Sequence, residues 1–228
     1  MKKIIVMLVS FCLVGCSLKD NRQTTIYNKM LDGLEQLDSY QSANYVMDFK
    51  VAGIAENGKM EGSFLKNETY QVAGNISLSN FLVGNLYYVD DYLYWSINNQ
   101  KSKYHIALGD SFFSIAKSAL QVDSVITDYS SSSSGQYVYY TLKLNEKIIN
   151  NLLNLYISQE HKFSITTINI STTYLKEECV GIVIDATFSY QDKEYTIQSA
   201  IVLSDINSAI EIELPDLSLY QSYQSLNF

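Results

Sequence analysis

Histidine occurs twice in the 228 residues, and proline and tryptophan once each. Arginine is found only as Arg22. His105 and His161 are far apart and neither has a partner at metal-ligand spacing. The chain has no His-Glu-x-x-His, no Cys-x-x-Cys, no glycine-rich phosphate loop and no Gly-x-Ser-x-Gly. Gly109-Asp110-Ser111 looks like a hydrolase nucleophile block, but the Asp-x-x-His that should follow is missing, so Asp110 reads as a helix cap. Asp90-Asp91 and Glu177-Glu178 pair carboxylates, but each pair falls at a strand end and reads as a solvated turn. No catalytic residue, metal ligand or cofactor is therefore expected. With one proline, Pro215, and that one where a last strand should end, little interrupts strand pairing.

Long apolar runs are also few. Beyond position 16 none approaches the roughly 20 residues that a membrane-crossing helix needs. The one nearly unbroken run, residues 4–14, is too short to span a bilayer. It follows Lys2 and Lys3 and ends in Leu13-Val14-Gly15-Cys16. A basic n-region, a short apolar stretch and small residues before a cysteine make a signal peptide ending in a lipobox. The expectation is cleavage after Gly15 and a diacylglyceryl thioether on Cys16. Two or more acyl chains hold a protein on a membrane surface. The expected location is then the extracytoplasmic face of a bacterial cell membrane.

Loss of residues 1–15 leaves 213 residues carrying 14 basic and 24 acidic side chains, a net charge of −10. So acidic a chain excludes a nucleic-acid partner, which would call for a basic face. Cys12 leaves with the signal and Cys16 goes to lipid, so Cys179 is the remaining thiol and no disulfide can form within the mature chain. With no basic neighbour in sequence, Cys179 reads as a structural residue rather than a nucleophile.

What is abundant is apolar and aromatic sequence, with 19 tyrosines and 9 phenylalanines. After a polar tether, residues 16–24, Ile26, Met30, Leu34 and Leu37 recur at helical spacing. They predict an amphipathic helix over residues 25–38 with Thr24 or Thr25 as its cap. The period then changes to two. Tyr45, Met47, Phe49 and Val51 alternate with Val46, Asp48 and Lys50, a half-buried strand. Asn57-Gly58 is a strong hairpin signal. Asp90-Asp91 predicts a two-residue turn that sets Val89 opposite Tyr92 and Tyr87 opposite Tyr94 on one face, with Tyr88–Leu93 and Leu86–Trp95 on the other. Further helices are expected from Asp110 to about Gln121 and over residues 145–158, and a polar loop over residues 130–135. Phe163 and Ile165 keep one phase while Ile168 and Ile170 keep the other, which predicts a bulge near Thr166-Thr167. The tail beyond Pro215 reads as loosely held.

About eleven strands and three helices result. They form an α+β chain with one large curved antiparallel sheet and the helices on its concave face, in a single domain over residues 25–228. The plan resembles that of the LolA-like and LppX/LprG-like lipoproteins. The likeness lies in the lipobox, in the helix-to-strand passage over residues 30–51 with Leu37-Asp38-Ser39-Tyr40, and in the hairpin from Leu86 through Asp90-Asp91 to Tyr94. It extends to the ending from Leu203-Ser204-Asp205-Ile206-Asn207 to Leu214-Pro215. The resemblance implies a half-barrel whose concave face holds lipid or acyl chains, with no catalytic residue. By phase along the strands and helices, Met47, Phe49, Trp95, Ile184 and Phe188 would line such a cavity from the sheet, and Phe112, Leu120 and Leu153 from the helices. The expected protein is a monomeric, membrane-anchored binder of a lipid or other apolar ligand, as carrier or sensor. The alternative is an envelope interaction module binding a protein or polysaccharide without a ligand cavity, which an exposed stripe through Tyr87, Tyr92 and Tyr94 would favour, as would the lack of an enclosed cavity.

Overall fold

The computed structural model describes residues 21–52, 56–67, 69–79, 82–105, 117, 120–121, 124–153, 163–190 and 193–222. Helix α1, Asn21–Ser39, is followed by strands β1 (Ser42–Ala52), β2 (Glu56–Lys66), β3 (Tyr70–Leu78), β4 (Leu82–Val89), β5 (Tyr92–Ile97) and β6 (Gln100–His105). Next come β7 (Ile126–Ser134), β8 (Tyr137–Leu144), α2 (Glu146–Leu153), β9 (Phe163–Leu175), β10 (Glu178–Tyr190) and β11 (Lys193–Ser204). A 3₁₀ turn, Leu217–Leu219, leads into the two-residue β12, Gln221–Ser222. All twelve strands belong to one open sheet in the order β12-β6-β5-β4-β3-β2-β1-β11-β10-β9-β8-β7. Neighbours run antiparallel except β12, which lies parallel to β6. This is the expected α+β half-barrel, with twelve strands instead of eleven and two α-helices among the described residues instead of three. The expected helix from Asp110 falls mostly outside them.

Helix α1 lies across β7 to β10. Its stripe of Ile26, Met30, Leu34 and Leu37 is at most 2% exposed. Gly33 lets the helix approach closely, because a Cβ there would sit 3.0 Å from Thr172 Cγ2 and from the Tyr174 hydroxyl. Polar bonds fix the same contact. The Tyr174 hydroxyl donates to the Lys29 carbonyl at 2.8 Å and the Tyr40 hydroxyl to the Cys179 carbonyl at 2.8 Å. The Cys179 N–H donates to Gln36 Oε1 at 2.9 Å. The helix reaches at least four residues further toward the N-terminus than expected. Thr25 is no cap, since its hydroxyl donates back to the Asn21 carbonyl at 2.8 Å within the helix.

Burial raises the pKa of the hydroxyls of Tyr40, Tyr45 and Tyr174, and pushes the Cys179 thiol up to about 11 from 9.0. Each group is held neutral in the fold and ionises more easily once unfolded. Their stabilising contribution is therefore complete below pH 9 and is lost as pH rises, first between 9.0 and about 11 for the thiol. Each such group can remove up to about 1.4 kcal/mol per pH unit. The urea midpoint is expected to hold level from pH 7 to 9 and to fall steeply above it. A level midpoint at pH 11 would contradict this burial.

The hairpin of β4 and β5 has the register read from the sequence, Val89↔Tyr92, Tyr88↔Leu93, Tyr87↔Tyr94 and Leu86↔Trp95. Asp90 and Asp91 both take positive φ, at 51° and 61°, as the tight two-residue turn requires. The bulge is present as well. Thr187 pairs with Thr167 and Phe188 with Ile165, which leaves Thr166 unpaired. Three expectations give way. Residues 209–214, where a last strand should run up to Pro215, form no strand. Asn57 and Gly58 lie inside β2, paired with Lys50 and Phe49. The Phe49 ring lies over the glycine, where a Cβ would fall 1.9 Å from that ring and push it aside. Residues 130–134 are not a loop but the end of β7, where Tyr137 to Thr141 of β8 supply backbone partners along the serine run. The chain turns at Gly135, with φ +58°.

Below the bulge, β9 extends beyond the last pairing with β8, Lys143↔Asn169. The Asn150 side chain of α2 takes the place of a strand there. Its Nδ2 donates to the Ile165 carbonyl at 2.8 Å and its Oδ1 accepts the Ile165 N–H at 2.7 Å. Asn150→Leu leaves both backbone groups without a partner in a partly buried site. We expect a cost of about 1–3 kcal/mol, measured by urea unfolding.

Candidate ligand-binding face

The two faces of the sheet differ in chemistry because side chains alternate along each strand. On β1, Asn44, Val46, Asp48 and Lys50 point to the outer face, while Ala43, Tyr45, Met47 and Phe49 point inward. The outer face carries charge and amide pairs, such as Lys59 with Glu61 at 2.6 Å and Gln198 donating to Asp185 at 2.8 Å. Among Tyr45, Met47, Phe49, Met60, Ile182, Ile184, Phe188, Tyr195, Ile197 and Ile201 on the inner face, tyrosine is the only ionisable type.

Burial on the inner face falls off with distance from α1. Ala43, Tyr45, Phe64, Ile182, Leu203 and Thr172 are buried in the main core. Further down the strands and out across β4 and β5, large apolar side chains are only half-buried, including Met47, Met60, Ile184, Leu86, Leu93 and Trp95. This graded face is the candidate site: it is apolar, continuous with the core, and only half-buried.

Met47 sits between Met60 and Ile201, Phe49 between Gly58 and Ser199, and Ile184 between Ile170 and Ser199. These three share one patch across β1, β11 and β10. Phe188 extends it downward, stacked on Tyr195 with ring centroids 5.4 Å apart. Trp95 is on the same face, four strands from β1 in the row Trp95–Leu86–Gly74–Gly62–Tyr45. At about 4.8 Å per strand it stands roughly 19 Å across the sheet from β1, and Ile184 and Phe188 on β10 are two strands further still. Leu120 is 2% exposed and belongs to the main core cluster, which includes the α1 stripe. Leu153 lies in α2, its side chain outside the described residues, as are Phe112 and Cys16.

Several residues of this face escaped the sequence reading. The Tyr45 ring reaches over Gly74, where a Cβ would lie 2.3 Å from its hydroxyl, and its hydroxyl donates to the Ala73 carbonyl at 3.4 Å. Glycine inside a strand marks such a close approach, so Gly74 could have pointed to a bulky neighbour. Nothing in the local sequence points to Tyr195 or Met60 in particular.

The outer aromatic stripe is not open. Val89 and Tyr94 are buried with Tyr220, and Tyr87, Tyr92, Leu214 and Leu217 pack around them. The exposed stripe that would favour an interaction module is therefore absent at Tyr87, Tyr92 and Tyr94. Among the described residues no group of three or more His, Cys, Asp or Glu is placed to hold a metal, and no helix is long and apolar enough to cross a membrane.

Compared with solved structures, this architecture matches the crystal structure of Mycobacterium tuberculosis lipoprotein LppX. The TM-score is 0.53 at 11% identity, over 83% of this chain and 99% of LppX. The chain has the LppX fold. LprF from Mycobacterium bovis also aligns, with TM-score 0.49 at 14% identity, over 84% of this chain and 97% of LprF. Neither a protein-family model nor a curated protein sequence matches. At this identity the likeness to LppX is one of fold, and no residue role passes from LppX to this chain.

Proposed function

We propose that this protein is a lipid-anchored envelope lipoprotein whose inner sheet face binds a lipid or another molecule with a long apolar chain. The observation that carries the reading is the graded inner face, where Met47, Phe49, Ile184 and Trp95 are half-buried and no carboxylate or amine stands among them. An acyl chain needs nothing more, because its binding is driven by removal of its methylenes from water.

A magnitude favours exchange over trapping. A sixteen-carbon chain gains on the order of 12 kcal/mol on leaving water, at about 0.8 kcal/mol per methylene. A bilayer offers nearly the same gain, so transfer between membrane and protein is close to neutral. A carrier or sensor requires that balance. The fold shared with LppX, a mycobacterial lipoprotein, supports this reading, and so does the lipobox ending at Cys16. In the proposal Cys16 carries the diacylglyceryl group, the protein sits as a monomer on the outer side of the cell membrane, and it performs no catalysis.

Trp95, the single tryptophan, supplies a built-in reporter. Titration with cis-parinaric acid is expected to give saturable energy transfer from Trp95 to the bound probe, competed by unlabelled fatty acid. Absence of saturable transfer would refute the ligand reading. Anchoring is tested separately: palmitate labelling in the native host is expected for the wild type and absent for Cys16→Ala.

A further inference from the structure

After β11 the chain does not end but crosses the back of the sheet. Residues 205–222 start at the centre and finish at the far edge. The first anchor is beside β1. The Asn207 N–H donates to the Ser42 carbonyl at 2.7 Å, Asn207 Oδ1 accepts the Gln41 N–H at 2.8 Å, and the Ser42 hydroxyl donates to the Ser208 carbonyl at 2.6 Å. The second anchor is at β5 and β6. There Tyr220 is buried edge-on against Tyr94, with centroids 5.4 Å apart, and Lys101 Nζ stands 5.5 Å from the Tyr220 ring. Gln221 and Ser222 then pair with Ser102 and Lys103 of β6. Between the anchors lie five strand spacings, about 24 Å. Asp216 stiffens the end of the crossing by accepting the Ser218 N–H at 3.0 Å and its hydroxyl at 2.6 Å.

The position of this strap is informative because the described helices hold the other half of the sheet. Helix α1 packs on β7 to β10 and α2 on β9. Strands β4 and β5 have a buried cluster of their own, Val89 and Tyr94, and it is completed by Tyr220, Leu214 and Leu217 from the strap. We infer that the strap is a tie: it holds the β4–β6 wing to the centre of the sheet and so sets how far the apolar inner face stands open to a guest. The second half of that statement rests on the ligand reading above.

The test uses the mature full-length chain as wild type, Tyr220→Ala, Tyr220→Phe and Leu217→Ala, the last in case Tyr220→Ala does not fold. Hydrogen exchange followed by mass spectrometry should show β4 to β6 exchanging at least tenfold faster in Tyr220→Ala, with β8 to β10 unchanged. Tyr220→Phe, which keeps the ring, should match the wild type. The uptake rate of cis-parinaric acid should rise several-fold in Tyr220→Ala. Unchanged exchange in β4 to β6, or equal acceleration throughout the chain, overturns the tie. Faster wing exchange with an unchanged uptake rate overturns the gating role and leaves the tie. Faster wing exchange in a protein that takes up no probe in any form upholds the tie and refutes the ligand reading instead.

Discussion

Leu34→Ala is expected to destabilise the protein by about 2–5 kcal/mol, among the largest effects of any single truncation. Leu34 is 0% exposed, at the middle of the α1 stripe and one residue from Gly33, where the helix meets Thr172, Tyr174 and Cys179. Close approach at Gly33 leaves the helix little room to settle into the space that the leucine vacates, so a cavity persists. At roughly 2–4 °C per kcal/mol for a chain of this size, the melting temperature should fall by about 4–20 °C. Glu35→Ala, one residue on, is the control. Glu35 is on the solvent side and its pair with Lys117 at 3.3 Å is exposed. Such a pair contributes about 1 kcal/mol at most. Equal losses for the two variants would mean that α1 is not seated as described.

The second large effect concerns binding. Met47→Glu should weaken binding of an acyl-chain probe at least 100-fold, which is about 3 kcal/mol. Met47 is half-buried between Met60 and Ile201 on the inner face. In the unliganded protein the new carboxylate can turn toward water, so the fold survives. An apolar chain laid over it would strip that water and bury a charge without a partner, which costs several kcal/mol. Asp48→Lys alters a charge one residue away on the outer face and should leave binding unchanged. The comparison needs a melting curve for each variant. A folded Met47→Glu protein that binds like the wild type would remove Met47 from the site.

How much of this was legible in the sequence depended on whether local or distant residues decide a feature. The hairpin register through Asp90-Asp91 was readable because a two-residue turn fixes every pair beyond it. The bulge at Thr166 was readable because the apolar phase slips there. The α1 stripe was readable from spacing alone. Asn57-Gly58 misled because its glycine answers to Phe49 on the neighbouring strand, not to a turn. The serines before Gly135 misled because they lack apolar alternation, and only their pairing with β8 makes them a strand. The tail was misread for the same reason. Tyr220 is buried by Tyr94, more than a hundred residues earlier.

The candidate site divides along the same line. Strand phase placed Met47, Phe49, Ile184, Phe188 and Trp95 on one face, because alternation depends only on the strand itself. Phase could not say how far apart they lie, since strand order and the number of intervening strands are set by the whole sheet. Nor could helical spacing separate a residue facing the core from one facing a ligand: Leu120 belongs to the main core cluster.

The central claim is that the inner face shelters an apolar chain, and native mass spectrometry of the protein purified without detergent tests it most directly. The account predicts adduct masses matching lipid that remain after gel filtration of the wild type and disappear in Met47→Glu. A single unliganded mass in every preparation, unchanged after incubation with lipid vesicles, would contradict it.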